Sequence, residues 1–168
     1  LAEAIDVAGI KVGMLATAAN LNAVARILGK YPLLPRVIDP VLRSSSGALL
    51  LEKKAWPRFL ETVEGRADLI TPNLDEAAVL TGRPVRHVAE MKLAAENIHR
   101  RSGIACLLKG GHLEGQAVDV LYDGKEFTAF AETCMINALS SSIYPGIKNT
   151  ILHQFSSTPL TIAKIAGT

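Results

Sequence analysis

Four short apolar runs alternate with stretches of helical periodicity, and this alternation constrains the fold more than any other feature of the chain. The runs are Ala8–Leu15, Arg36–Asp39, Asp68–Thr71 and Ile104–Lys109. Between them lie Thr17–Lys30, with Leu21, Val24, Ala25 and Leu28 on one face, then Trp56–Glu64, a short segment from Asn73, and Val88–Arg100. Apolar positions three and four apart mark a helix face, and short apolar runs bounded by turn residues mark buried strands. Strands alternating with helices predict an α/β domain, a mostly parallel sheet with helices on both faces. Pro57 fits the first turn of the second helix. Asp123-Gly124, between Gln116–Tyr122 and Glu126–Ala131, predicts a hairpin turn.

Right-handed crossovers place the C-terminal ends of parallel strands on one rim. Met14, Asp39, Asn73 and Lys109 all stand at or just beyond such ends. Ligands of open α/β sheets bind at that rim, so these residues are the candidates for a shared site.

Composition narrows the class. The 168 residues are 49% hydrophobic but only 5% aromatic, which suits a core of Ala, Val, Ile and Leu between helices and a parallel sheet. A net charge of +2 gives no electrostatic reason to expect nucleic acid or an anionic membrane as partner. Cys106 and Cys134 have neither metal-ligand nor disulfide spacing, and Cys106 reads as a small core residue. No secretory signal or membrane-length apolar run is visible, and the expected compartment is the cytoplasm. His87, His99 and His153 lack partners at metal-like spacing and read as surface residues; Arg100 and Arg101 suit a helix C-terminus.

Asn73 and Glu76 sit three residues apart where a helix begins, so they share a face. One reading makes Asn73 an N-cap and Glu76 its capping-box partner. The other uses the same amide and carboxylate to hold a hydrated Mg²⁺ with its phosphates, at a helix end that already favours anions. In the second reading Glu76 is partly accessible and faces the cleft of Lys109. Lys109, followed by Gly110 and Gly111, is either a phosphate contact beside a close backbone approach or a solvated lysine before a turn. Asp39, before Pro40, either orders the metal-phosphate region or caps a turn. His112 either touches nucleotide or belongs only to the turn.

The segment Thr71-Pro72-Asn73-Leu74-Asp75-Glu76 resembles the Asn-x-x-Glu motif of the ribokinase superfamily. Ile10-Lys11-Val12-Gly13-Met14-Leu15, Val37-Ile38-Asp39-Pro40-Val41 and Leu108-Lys109-Gly110-Gly111-His112 with Val118-Asp119-Val120-Leu121-Tyr122-Asp123-Gly124 resemble one branch, the hydroxymethylpyrimidine/phosphomethylpyrimidine kinases of thiamine synthesis. The likeness covers roughly residues 1–131, in the family's order. It implies a ribokinase-like fold and phosphorylation of hydroxymethylpyrimidine or its monophosphate, with ATP as co-substrate and Mg²⁺ as cofactor. It implies nucleotide and phosphate contacts from Asn73, Glu76 and Lys109, metal contacts from Glu76 and Asp39, and a substrate wall of Gly13, Met14 and Val41. The Asp-Pro and Thr-Pro-Asn features are shared with pyridoxal kinases, the alternative substrate class. Lys-Gly-Gly-His and the Asp-Val-Leu-Tyr-Asp-Gly hairpin favour the pyrimidine branch.

Two features depart from the family pattern. The chain opens on Leu1 with residues that read as a helix end, so the domain is expected to be incomplete. After Ala131, where the family has a Gly-Thr-Gly-Cys anion hole, stands Glu132-Thr133-Cys134-Met135, without the glycines such a loop needs. From Thr133 to Thr168 the only formally charged residues are Lys148 and Lys164. The expected organisation is a partial kinase domain over 1–131 and a divergent tail over 132–168. Gly146 and Gly167 are too far apart to rebuild the loop, and no catalytic residue is assigned. The expected activity is weak, and a non-catalytic nucleotide-binding remnant is a further alternative. The apolar tail leaves room for self-association, with a homodimer as one form.

Overall fold

The computed structural model describes residues 7–111 and 118–131. The tail, Cys134 and His112 lie outside the described residues. Six strands form one mixed sheet: β1 (Ile10–Val12), β2 (Arg36–Ile38), β3 (Leu69–Ile70), β4 (Ala105–Leu108), β5 (Val118–Tyr122) and β6 (Phe127–Ala131), in that spatial order. The first four are parallel, and β5 and β6 are antiparallel to their neighbours. The helices are α1 (Ala18–Leu28), α2 (Phe59–Thr62), α3 (Leu74–Thr81) and α4 (Val88–Ser102).

Local chemistry explains the boundaries. Thr17 caps α1 by accepting the Asn20 N–H, and the Glu52 carboxylate accepts the Ala18 N–H from across the loop. Gly82 and Gly103 end α3 and α4 in the left-handed conformation. Asp123 accepts the N–H groups of Lys125 and Glu126 and so builds the expected β5–β6 turn. The paired strands are shorter than the apolar runs that announce them, because residues beyond each end leave the ladder to form the rim. The expected helix Trp56–Glu64 is instead a 3-10 helix, Lys53–Arg58, followed by the single turn α2. Pro57 lies inside the 3-10 stretch; its missing N–H favours such a tight turn over a longer α-helix.

The core follows strand alternation. Val12, Ile38, Ile70, Cys106, Leu108 and Val120 form one sheet face, matched across the strands by register. They share one cluster with Leu21 and Leu28 of α1, Phe59 and Leu60 of α2, Ala77 and Leu80 of α3, and Met91, Ala95 and Ile98 of α4. Burying each large side chain contributes about 1.5–3 kcal/mol. The opposite face, with Val37, Leu69, Ala105, Leu107 and Leu121, is buried too but stands outside that cluster. The mixed sheet with packed helices meets the expected α/β architecture. At the strand starts, Arg36 grips Asp68 by two guanidinium bonds and one backbone N–H, tying β2 to β3. No helix among the described residues is long and apolar enough to cross a membrane.

The histidines are less idle than expected. His87 caps α4 through the Glu90 N–H, and His99 bonds the Ile104 carbonyl and packs edge-on against Tyr122. Arg101 closes a neighbouring helix rather than its own, donating to the Leu80 carbonyl at 2.6 Å.

Candidate phosphate and metal site

Past their paired ends, the parallel strands continue as a staggered rim. The Asp39 N–H donates to the Val12 carbonyl (2.8 Å), that of Thr71 to Ile38 (3.0 Å) and that of Lys109 to Pro72 (2.9 Å). Asn73 and Lys109 form an isolated parallel bridge. The candidates from β2, β3 and β4 therefore stand side by side on one rim.

Lys109 Nζ lies 3.2 Å from Asp39 Oδ1, in a pair that is mostly but not fully withdrawn from water. The backbone then turns sharply. An added Cβ at Gly110 would lie 2.0 Å from the Val118 carbonyl oxygen and 2.8 Å from Met91 Cε, so only glycine fits there. At Gly111 an added Cβ would meet none of the described residues. The Gly110 N–H donates to Asp119 Oδ1 at 2.7 Å. Asp119 is a site residue that the sequence reading misses. The available signal is a carboxylate inside an apolar strand, a placement that demands a partner.

Asn73 and Glu76 form a complete capping box. The Glu76 N–H donates to Asn73 Oδ1, and the Asn73 N–H donates to Glu76 Oε2, both at 2.8 Å. The Leu42 backbone N–H also favours the charged form of the Glu76 carboxylate. Glu76 is only 6% exposed, which corrects the expectation of partial access. Its carboxylate is held at the helix start by the Asn73 N–H, with the Leu42 backbone nearby. It still feels the charges of Lys109 and Asp39.

The expected substrate-side residues follow β1 and β2 on the same rim. Met14 is 64% exposed and is not core filler. A Cβ added at Gly13 would meet no atom of the described residues within 4 Å. Val41 is half-buried, its N–H bonded to the Asp39 carbonyl. An open groove of about 1420 Å³ lies between the Leu42–Gly47 loop, the start of α3 and Arg86–Val88. Asn73 and Glu76 line it; Asp39 and Lys109 do not, so the rim site lies at its edge.

Burial raises the Glu76 carboxyl above its ordinary range, against the Asn73 N–H and the Lys109 charge, which lower it. Burial likewise raises Asp119, against the Gly110 N–H and Lys109. For both groups the unfolded carboxyl ionises first as pH rises. Their contribution to stability is therefore greatest below the unfolded value and declines until the raised folded value is passed. We expect the pH dependence of unfolding free energy, measured by urea denaturation from about pH 4 upward, to be less negative in Glu76→Gln than in the parent chain. Equal slopes would place the Glu76 carboxyl in water.

A mixed sheet with this rim, a capped helix at the third strand and a Lys-Gly-Gly turn at the fourth defines a ribokinase-like small-molecule kinase fold. The phosphomethylpyrimidine kinase family model matches residues 1–138, and the chain belongs to that family. It is 37% identical over 129 residues to the hydroxymethylpyrimidine/phosphomethylpyrimidine kinase of Aquifex aeolicus, covering 76% of this chain and 51% of the relative. Among solved structures, a phosphomethylpyrimidine kinase of Clostridium difficile matches with a TM-score of 0.70 and 30% identity, over 90% of this chain and 70% of the other. The ADP complex of Bacillus subtilis pyridoxal kinase matches with a TM-score of 0.68 and 31% identity, over 79% and 49%. The chain spans about half the length of curated relatives such as that of Aquifex aeolicus.

Proposed function

We propose that this chain carries the phosphate side of a kinase that transfers a phosphoryl group from ATP to hydroxymethylpyrimidine or its monophosphate, in thiamine synthesis. The observation that carries the reading is the Asp39–Lys109 pair at the rim, with the start of α3 bridged to Lys109. Lys109 would exchange part of its contact with Asp39 for a nucleotide phosphate. The α3 N-terminus adds unpaired N–H groups and a field that favours anions. The groove alongside is spacious enough for a nucleotide.

The residues fit Mg²⁺ in chemistry. Asp39 pairs with Lys109, and Glu76 and Asp119 each feel the Lys109 charge; among the described residues no three such groups cluster to enclose a metal, so a divalent cation would rest on Asp39 and the phosphates it accompanies. Asp39 is the group with access to solvent, whereas Glu76, committed to the Asn73 N–H, would act through water and charge. That suits an ion which keeps most of its waters and takes one or two carboxylates. Bound Mg²⁺ supplies charge neutralisation to the phosphates. Lys109 orients them, and Asn73 fixes the helix end that faces them. Gly13, Met14 and Val41 would form the pyrimidine wall, where Gly13 leaves room for a ring and Met14 offers a polarizable contact.

In this reading residues 1–131 form the kinase portion and residues 132–168 a divergent tail, in a cytoplasmic protein with a homodimer as one assembly. The tail sequence after Ala131 lacks the glycines of an anion-hole loop, whose contribution to phosphoryl transfer is large. We expect the 168-residue chain, assayed with Mg–ATP and hydroxymethylpyrimidine, its monophosphate or pyridoxal, to give only trace phosphorylation, favouring a pyrimidine. Robust pyrimidine turnover would contradict the expected impairment. Turnover of pyridoxal alone would overturn the substrate assignment.

A further inference from the structure

We propose that Asp119 is a positioning residue for Lys109: it anchors the Gly110 peptide and so fixes where the neighbouring ammonium meets a phosphate. The inference rests on Lys109 being the phosphate contact. Three observations carry it. Asp119 is 8% exposed, and its Oδ1 accepts the Gly110 N–H at 2.7 Å. Gly110 is wedged against Val118, the residue before Asp119, with no room even for a methyl group. The β4–β5 register pairs Leu108 with Val120, which brings Asp119 level with the Lys109–Gly110 step.

The arrangement divides labour. The Lys109 backbone is held on one side by its N–H bond to Pro72, and on the other by the Gly110 bond to Asp119. The side chain is held by Asp39. A lysine carries several free torsions, so its reach to a ligand depends on how firmly its backbone is placed. Asp119 fixes the peptide on the far side of that lysine without touching the ligand. Its carboxylate is also near enough to Lys109 to feel its charge.

The test uses the full 168-residue chain as Asp119→Asn, Asp119→Ala, Lys109→Met and the double variant Lys109→Met with Asp119→Ala. Mg–ADP binding is followed by calorimetry, and Lys109 side-chain carbon relaxation and Gly110 amide exchange by NMR without nucleotide. Asn retains an acceptor for the Gly110 N–H; Ala does not. We expect Asp119→Ala to weaken Mg–ADP binding tenfold or more, Asp119→Asn to recover it to within threefold, and Asp119→Ala to add less than twofold in the Lys109→Met background. Without nucleotide, Asp119→Ala should mobilise the Lys109 side chain and expose the Gly110 amide, with both restored in Asp119→Asn. Equal losses in both backgrounds would overturn the proposal in favour of a general packing role. So would unchanged Lys109 relaxation. If the parent chain shows no Mg–ADP binding, the nucleotide reading falls, and the relaxation data still decide whether Asp119 places Lys109. Should Asp119→Ala not fold, Asp119→Ser, too short to reach the amide, takes its place.

Discussion

Gly110→Ala is expected to destabilise the chain by about 3 kcal/mol, the upper part of the range for forcing extra atoms into a packed interior. The added Cβ would meet the Val118 carbonyl at 2.0 Å, and that atom belongs to a paired strand. Met91 Cε, at 2.8 Å, has little room to retreat, since Met91, on α4, is fully buried. Relief requires β5 to move away from the β4 end, which stretches the Gly110–Asp119 bond and displaces Lys109. Gly111→Ala is the internal control, with no atom of the described residues in reach of its Cβ and an expected change within about 0.5 kcal/mol. Urea denaturation of both variants makes the comparison. Equal stability would mean that the Lys109–Gly110 turn is not pinned against β5.

Glu76→Ala should cost about 2 kcal/mol. The substitution leaves the Asn73 N–H without its acceptor, and a buried unpaired donor costs about 1–3 kcal/mol. Relief from burying a carboxylate offsets part of this, since its folded form is the harder one to ionise. Glu76→Gln keeps the size and one acceptor oxygen and should lose about half as much. The same denaturation series checks both. The informative companion is the Mg²⁺ dependence of ATP binding. Reduced dependence beyond the stability loss supports a metal role, whereas unchanged dependence reduces Glu76 to a cap.

These two sites show what the sequence conveys and where it stops. The parallel strands and their shared rim are readable because the apolar runs are short and three of them end at or just before a residue unlike a core residue: Asp39, Asn73 and Lys109. Asn73 and Glu76 are recognisable as a pair, but their spacing serves both a capping box and a metal site. The choice depends on burial, and burial of Glu76 depends on the Leu42 segment, distant in sequence. Pro57 reads as a residue of a first helical turn, yet the balance between one α-helix and a 3-10 turn is set by tertiary packing. Asp119 is invisible as a site residue because its role arises from antiparallel register. Nothing in Val118-Asp119-Val120 states that Leu108 will lie opposite Val120. Gly110 carries a hint in its glycine, though the atom it avoids, the Val118 carbonyl, belongs to the next strand.

The rim formed by Asp39, Asn73 and Lys109 is the proposed nucleotide phosphate site. It is tested by calorimetric titration of Mg–ATP into the 168-residue chain and into Lys109→Met, which keeps the side chain's length and removes its charge. A charge-assisted bond contributes about 1.5–3 kcal/mol, and about 1.4 kcal/mol is tenfold in affinity. Weak, saturable, Mg²⁺-dependent binding is expected in the parent chain, falling tenfold or more in Lys109→Met, with both proteins folded. Equal affinity in the two proteins, or no saturable binding in the parent, would contradict a phosphate site built on Lys109.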